Sequence, residues 1–173
     1  MTYPRSVRMP YGSWVVGNGV PGAKLFHEGQ FEGRTVRLPV FLGRRPVEPV
    51  DPELQAFYQT LLTAVSSEGL RNGYWQLCER TGWPDNASCQ NLVAWCWRSS
   101  GGYHLIVVNL SDSSAQGQVR LPWDELIGKS WQMTDLFTGQ MYERSGDEIY
   151  NPGMYVDLPP WGYHVFNRWL PKS

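Results

Sequence analysis

The residues of this chain that could do chemistry are few, and their spacing limits what that chemistry could be. His27-Glu28 sets an imidazole beside a carboxylate, the two side chains of a general acid–base pair. Neighbours on an extended segment point to opposite faces, so the two cannot act on one atom, and the pair also reads as the polar start of a solvated loop. Asp124-Glu125 and Asp147-Glu148 are adjacent acids in polar surroundings and read as solvated turns. His104 and His164 have no Ser, Cys or second His at a useful spacing, which leaves neither a triad nor a metal site in view. Cys78, Cys89 and Cys96 fit neither a disulfide framework nor a zinc motif and read as inert thiols in a reducing compartment. The sequence implies no cofactor and no metal. Nine tryptophans remain. Trp75, Trp95, Trp97 and Trp131 lie within apolar runs and read as core, whereas Trp83, Trp123 and Trp161 stand beside prolines in loops. Those three are candidates for a platform on which a sugar ring stacks, with packing at corners as the plainer alternative.

The elements that must position these groups are mostly strands. Residues 91–110 carry two runs, 92–97 and 103–108, rich in β-branched and aromatic side chains and separated by Ser99-Ser100-Gly101-Gly102, which predicts a β-hairpin. Both faces are apolar: Val93, Trp95 and Trp97 on one side, Leu92, Ala94 and Cys96 on the other. Such a hairpin belongs at the centre of a sheet that is covered on both sides. Further short strands are expected at 74–80, 118–121, 131–135, 140–143, 154–157 and 162–167, each bounded by Gly, Pro, Asn, Asp or Ser. With the hairpin they make eight. The chain is thus mainly β, an eight-stranded antiparallel Greek-key sandwich.

Residues 52–65 predict the one convincing helix. Asp51 is placed to cap it, Pro52 suits its first turn and Glu53 faces the positive end of its dipole. Leu54, Phe57, Tyr58, Leu61, Leu62 and Val65 make a continuous stripe. Burying six side chains of that size rivals the stability of a whole domain, so the stripe must lie on the sandwich or on another polypeptide. Before the helix, residues 1–22 read as an irregular lead-in with an extended piece at 13–16, residues 23–27 as a short strand, and residues 34–49 as a surface loop.

The 173 residues suffice for one solid core or a domain with an appendage, and 18 Gly, 13 Pro and 18% charged residues suit a loop-rich β protein. A net charge of −1 gives no reason to expect nucleic acid or an anionic membrane as partner. No apolar run approaches the ~20 residues of a membrane span, and the N-terminus lacks a secretory pattern, so a cytoplasmic location is expected. Asn86-Ala87-Ser88 fits a glycosylation acceptor and is set aside on the same ground.

Taken in order, the segment Pro21-Gly22-Ala23-Lys24-Leu25-Phe26-His27-Glu28-Gly29-Gln30, the helix, and Leu70-Arg71-Asn72-Gly73-Tyr74-Trp75 resemble the C-terminal part of glycoside hydrolase family 13, the α-amylase family. Val107-Val108-Asn109-Leu110-Ser111, Asp135-Leu136-Phe137-Thr138-Gly139 and Leu158-Pro159-Pro160-Trp161-Gly162 resemble signatures of that family's sandwich, domain C. The resemblance spans residues 21–168. It implies that residues 1–72 are a remnant of a (β/α)8 barrel (its last strand, loop and helix) and that residues 73–170 are the sandwich. It also implies that His27, Glu28 and Gln30, and more remotely Arg34, line substrate in an intact enzyme, because such barrels hold their sites at the C-terminal ends of their strands.

Family members break or transfer α-glucosidic bonds with an Asp nucleophile, a Glu acid/base and a second Asp, all on earlier barrel strands. No carboxylate here aligns with them, and 72 residues cannot supply a barrel of about 250. The chain is therefore expected to be non-catalytic on its own and to brace the barrel of an enzyme acting on α-glucan. The alternatives are an α-glucan-binding module built on loop tryptophans, or a subunit that completes a barrel from another chain. Its expected partners are the rest of the barrel or a second copy, docked through the 52–65 face.

Overall fold

The computed structural model describes residues 11–36, 44, 46–66, 70 and 72–172, the side chain of Arg168 excepted. Parts of the expected lead-in, of the 34–49 loop and of the helix stop near 66–69 lie outside the described residues.

Among the described residues the elements that position the rest are α1 (Tyr11–Gly19), α2 (Pro52–Val65), β1 (Tyr74–Leu77), β2 (Glu79–Thr81), β3 (Leu92–Ser99), β4 (Gly102–Asn109), β5 (Ala115–Arg120), β6 (Ser130–Asp135), β7 (Met141–Ser145), β8 (Met154–Leu158) and β9 (Tyr163–Lys172). They form two antiparallel sheets, ordered β1-β3-β4-β9-β6-β7 and β2-β5-β8, which makes an open sandwich rather than a closed barrel. The expected single strand at 74–80 is two. The chain breaks at Cys78 and crosses from one sheet to the other, β1 pairing with β3 and β2 with β5.

The hairpin β3–β4 sits inside the larger sheet with both faces buried. Leu92, Ala94, Cys96, Leu105 and Val107 point between the sheets, where they meet Ala115, Val119, Val156 and Leu158. Trp95, Trp97, Ile106 and Val108 point the other way into a second core with Val15 of α1 and with Phe57, Tyr58 and Leu61 of α2. A strand pair covered on two sides must be apolar on two sides, and this one is.

Helix α2 has its expected bounds. The Asp51 carboxylate accepts from the backbone N–H of Glu53 and of Leu54, both at 3.1 Å, and satisfies two of the four donors that a helix start leaves open. Asp51→Ala should cost about 1 kcal/mol, read as a lower urea midpoint with an unchanged slope. The centre of the apolar stripe, Phe57, Tyr58 and Leu61, is covered by the chain's own sheet and α1, while Leu54, Leu62 and Val65 are only half-buried. The expected partner docked through the 52–65 face is corrected for those three central side chains, which the chain itself already covers.

Two other expectations need correction. Residues 13–16 are not extended but lie in helix α1, against the propensity of a segment with three glycines. Two of those glycines, Gly12 and Gly19, are what let the helix approach. A Cβ on Gly12 would stand 2.7 Å from the carbonyl oxygen of Trp161, and one on Gly19 would stand 2.6 Å from the Trp95 ring. Tertiary contact, which a local reading does not contain, decides the helix. Residues 23–27 form no strand, since no ladder pairs with them among the described residues, and Leu25 is 97% exposed.

Candidate functional site

The segment before helix α2 holds its polar residues in two different states. His27 and Glu28 are exposed, with Arg34 4.0 Å from the Glu28 carboxylate. Gln30 is buried in a tight turn. Its Nε2 donates to the Tyr58 hydroxyl at 2.9 Å and its Oε1 accepts from the His27 N–H at 3.3 Å. Burial pushes the Tyr58 phenol up to about 12, against the opposing effect of the Gln30 bond, so it stays a neutral partner. Gln30 is thus committed to holding the 27–33 turn on helix α2 and presents nothing to a substrate. The His27-Glu28 pair is on an open surface.

The adjacent acids also differ from one another. Asp124 and Glu148 are exposed, and Asp147 accepts from the Gly128 N–H at 3.0 Å. Glu125 is more than a solvated turn residue, for it accepts from the Tyr103 hydroxyl at 2.9 Å and pairs with Arg98 at 2.8 Å. A cavity of ≈ 280 Å³ at one end of the sandwich is lined by two acids, Glu79 and Asp124, with Arg120 and Tyr150. Both acids are open to water, and Glu79 leans on Arg120 at 3.9 Å. A glycosidic general acid needs burial to hold its proton at neutral pH, and neither acid has it. Among the described residues, no group of three or more His, Cys, Asp and Glu side chains gathers where a metal could sit.

The three loop tryptophans separate cleanly. Trp123 is 3% exposed and packs on Tyr103 and Trp169 with ring centroids 4.7 and 5.8 Å away. Its place in a sugar platform is corrected to a place in the core. The proline beside it, Pro122, is exposed, while the indole turns inward. Trp161 is half-buried with a φ of 57°, and its N–H donates to Ser111 at 3.0 Å, so its peptide closes the corner between β8 and β9. Trp83 alone of the three stays open, 37% exposed, at a turn closed by the Asn86 N–H on the Trp83 carbonyl at 3.0 Å.

What the sequence reading missed is the company Trp83 keeps and a buried aspartate beside a histidine. Tyr155 of β8, 46% exposed, lies beside Trp83 with ring centroids 6.1 Å apart. Elsewhere, His164 sits 2.9 Å from Asp135, which is 1% exposed and has its carboxyl held below the usual carboxylate range. Burial alone would raise that carboxyl. Hydrogen bonds from His164 and from the Thr138 N–H and hydroxyl outweigh it, helped by the His164 charge. A groove of ≈ 210 Å³ beside this pair is lined by Tyr142, Arg144, Tyr155, Asp157, His164 and Phe166. Alternating residues on a strand carried no sequence signal for either feature.

No family model matches the chain, and no curated protein does. Solved structures do. Over 96% of its length the chain superimposes with a TM-score of 0.72 and 14% identity on a noncanonic maltogenic α-amylase, AmyB from Thermotoga neapolitana, of which it covers 38%. An Anoxybacillus α-amylase matches with a TM-score of 0.66 and 14% identity over 94% of the chain and 32% of that enzyme. An α-amylase from Geobacillus thermoleovorans matches with a TM-score of 0.67 and 12% identity over 94% and 33%. The chain thus spans roughly a third of the length of these relatives. At such low identity the likeness carries the fold, and the conclusion it supports is that this chain has the β-sandwich architecture, with its preceding helices, found in part of the α-amylase structures.

Proposed function

We propose that the chain is the non-catalytic C-terminal portion of an α-amylase-type glycoside hydrolase, with residues 1–72 finishing a barrel and residues 73–170 bracing it. The observation that carries this reading is the second core. Helix α2 is fixed to the outer face of the larger sheet by Phe57, Tyr58 and Leu61, and the 27–33 turn is pinned to α2 through Gln30 and Tyr58. A barrel whose last turn and helix are held this way is held by the sandwich. The surface that faces away from the sandwich is apolar in places: Leu25 and Val47 are fully exposed and Val50 is 45% exposed, as side chains that remaining barrel elements would cover.

Free thiols at Cys78, Cys89 and Cys96 suit a cytoplasmic protein. No helix of the described residues is long and apolar enough to cross a membrane.

The purified chain is expected to release no sugar from starch, maltooligosaccharides or aryl α-glucosides, followed by reducing ends and aryl release. Turnover that tracks the chain through purification and disappears on replacing Glu79 or Asp124 would overturn the reading. The same exposed Leu25 and Val47 favour a second possibility, a subunit that completes a barrel from another chain. Co-purification with a larger hydrolase separates the two.

A further inference from the structure

The outer face of the smaller sheet is built from residues that no part of the bracing role uses. Along β5 and β8 the inward side chains are Ala115, Val119, Met154, Val156 and Leu158, all in the inter-sheet core. The outward ones are Gln116, Gln118, Tyr155 and Asp157, paired across the strands as Gln118 with Tyr155 and Gln116 with Asp157, and Arg120 at the far end of β5, which donates to the Tyr150 carbonyl at 3.0 Å and leans on Glu79. Trp83 leans over this face from the turn that follows β2, next to Tyr155. Asn86, from the same turn, donates to Gln116 at 3.4 Å, and Gln116 donates to Asp157 at 3.2 Å. A polar chain thereby runs beside the two rings. The Gln118 amide, the Trp83 indole N–H and the Tyr155 hydroxyl have no hydrogen-bond partner among the described residues.

We infer that this face is a binding site for an α-linked glucan, with Trp83 and Tyr155 as stacking rings and Gln118 and Asp157 as the groups that take up hydroxyls. The chemistry of the face selects the ligand. A pyranose ring presents a C–H face that packs on an aromatic ring and equatorial hydroxyls that pair with planar amides and carboxylates. Two neighbouring exposed aromatics flanked by amides and one acid offer both.

The geometry selects the linkage. The ring planes stand at 60° to one another. A β-1,4 glucan is a flat ribbon whose successive sugars need coplanar platforms, whereas an α-1,4 glucan turns from one sugar to the next and presents its faces at an angle. The platform also comes largely pre-formed. The Trp83–Asn86 bridge fixes the turn, and a Cβ on Gly82 would stand 2.7 Å from the Cys89 sulfur and 2.8 Å from the Asn86 carbonyl oxygen. A fixed ring loses little freedom on binding. The choice of an α-linked ligand agrees with the parent substrate class proposed above, while the platform stands on its own geometry.

The test is affinity electrophoresis of the whole chain through gels containing amylopectin, laminarin or hydroxyethylcellulose. Retardation by amylopectin alone is expected. Trp83→Ala and Tyr155→Ala should each weaken it about tenfold or more, as loss of a stacked aromatic anchor does. Gln118→Ala should weaken it by a smaller factor, and Tyr74→Ala, an exposed ring on the other sheet, should leave it unchanged. Matched thermal midpoints for all four variants confirm that each is folded. Two results would overturn the site and leave the bracing role standing: no retardation of the wild type, or retardation that survives both ring substitutions. Retardation by the β-glucans in preference to amylopectin would overturn the linkage and also count against the parent's substrate class.

Discussion

Replacing Asp135 by alanine is expected to cost the fold about 3–5 kcal/mol, because the carboxylate is buried and five groups donate to it. Oδ1 accepts from the Phe137 N–H at 3.0 Å, the Thr138 N–H at 2.9 Å and the Thr138 hydroxyl at 3.0 Å. Oδ2 accepts from the Val165 N–H at 3.3 Å and lies 2.9 Å from His164 Nδ1, which must carry a proton to make that contact with an acceptor-only group. Alanine would leave the buried Val165 N–H without its partner and would open the turn that the Phe137 and Thr138 donors close. The effect should depend on pH in a definite direction. The carboxyl is held below its ordinary value in the folded chain, so its contribution is complete above the unfolded carboxylate value of about 3.9 and is lost as pH falls through the lower folded value. Urea midpoints of wild type and Asp135→Ala should therefore be far apart at pH 7 and converge in strong acid. A gap that stays constant down to pH 2 would mean that the charge of Asp135 contributes nothing and that the loss is one of packing.

Asp135 also shows how far the sequence could be read. Asp135-Leu136-Phe137-Thr138-Gly139 was visible only as a motif resembling a signature of the α-amylase family's sandwich; in the structure it is a turn in which Gly139 takes a φ of 69°. That the aspartate would also bond His164, 29 residues on, depends on the pairing of β6 with β9, which is long-range information. Asn109 is a second case. Its motif was legible, but its role is buried: it donates to Ser113 at 2.7 Å and Pro159 at 2.9 Å and accepts from Ser111, tying two corners together.

The hairpin and α2 were legible because period and capping are local. Helix α1 was not, because its glycines argue against a helix unless the partners they make room for are known. The Trp83–Tyr155 pair was half legible. Trp83 stood out beside Pro84, but Tyr155 is one alternating residue of a strand, and only the register of β5 and β8 turns it outward. Trp123 misled for the converse reason, since a tryptophan beside a proline looks the same whether the corner faces water or the core.

The second large effect is expected at Trp95, where the two cores meet. Its side chain is fully buried against α1 and α2, and its indole N–H donates to the Gly19 carbonyl at 2.8 Å, an oxygen that Trp97 also uses at 3.0 Å. Trp95→Ala removes a large core side chain and one of the two bonds that end helix α1, a loss of about 3–5 kcal/mol. The form of the loss bears on function. Ala94 and Cys96, the neighbours of Trp95 on β3, belong to the other core, between the sheets. If the sandwich braces a barrel through its helical layer, strain from one face of β3 must reach the other, and the variant should unfold in a single transition at a lower urea midpoint, by fluorescence and by circular dichroism alike. Amide exchange should then quicken in α2 and in β5 together. Should α1 and α2 exchange freely while β5 and β8 keep wild-type protection, the helices would be a dispensable cover, and a sandwich indifferent to its helices could not hold a barrel in place.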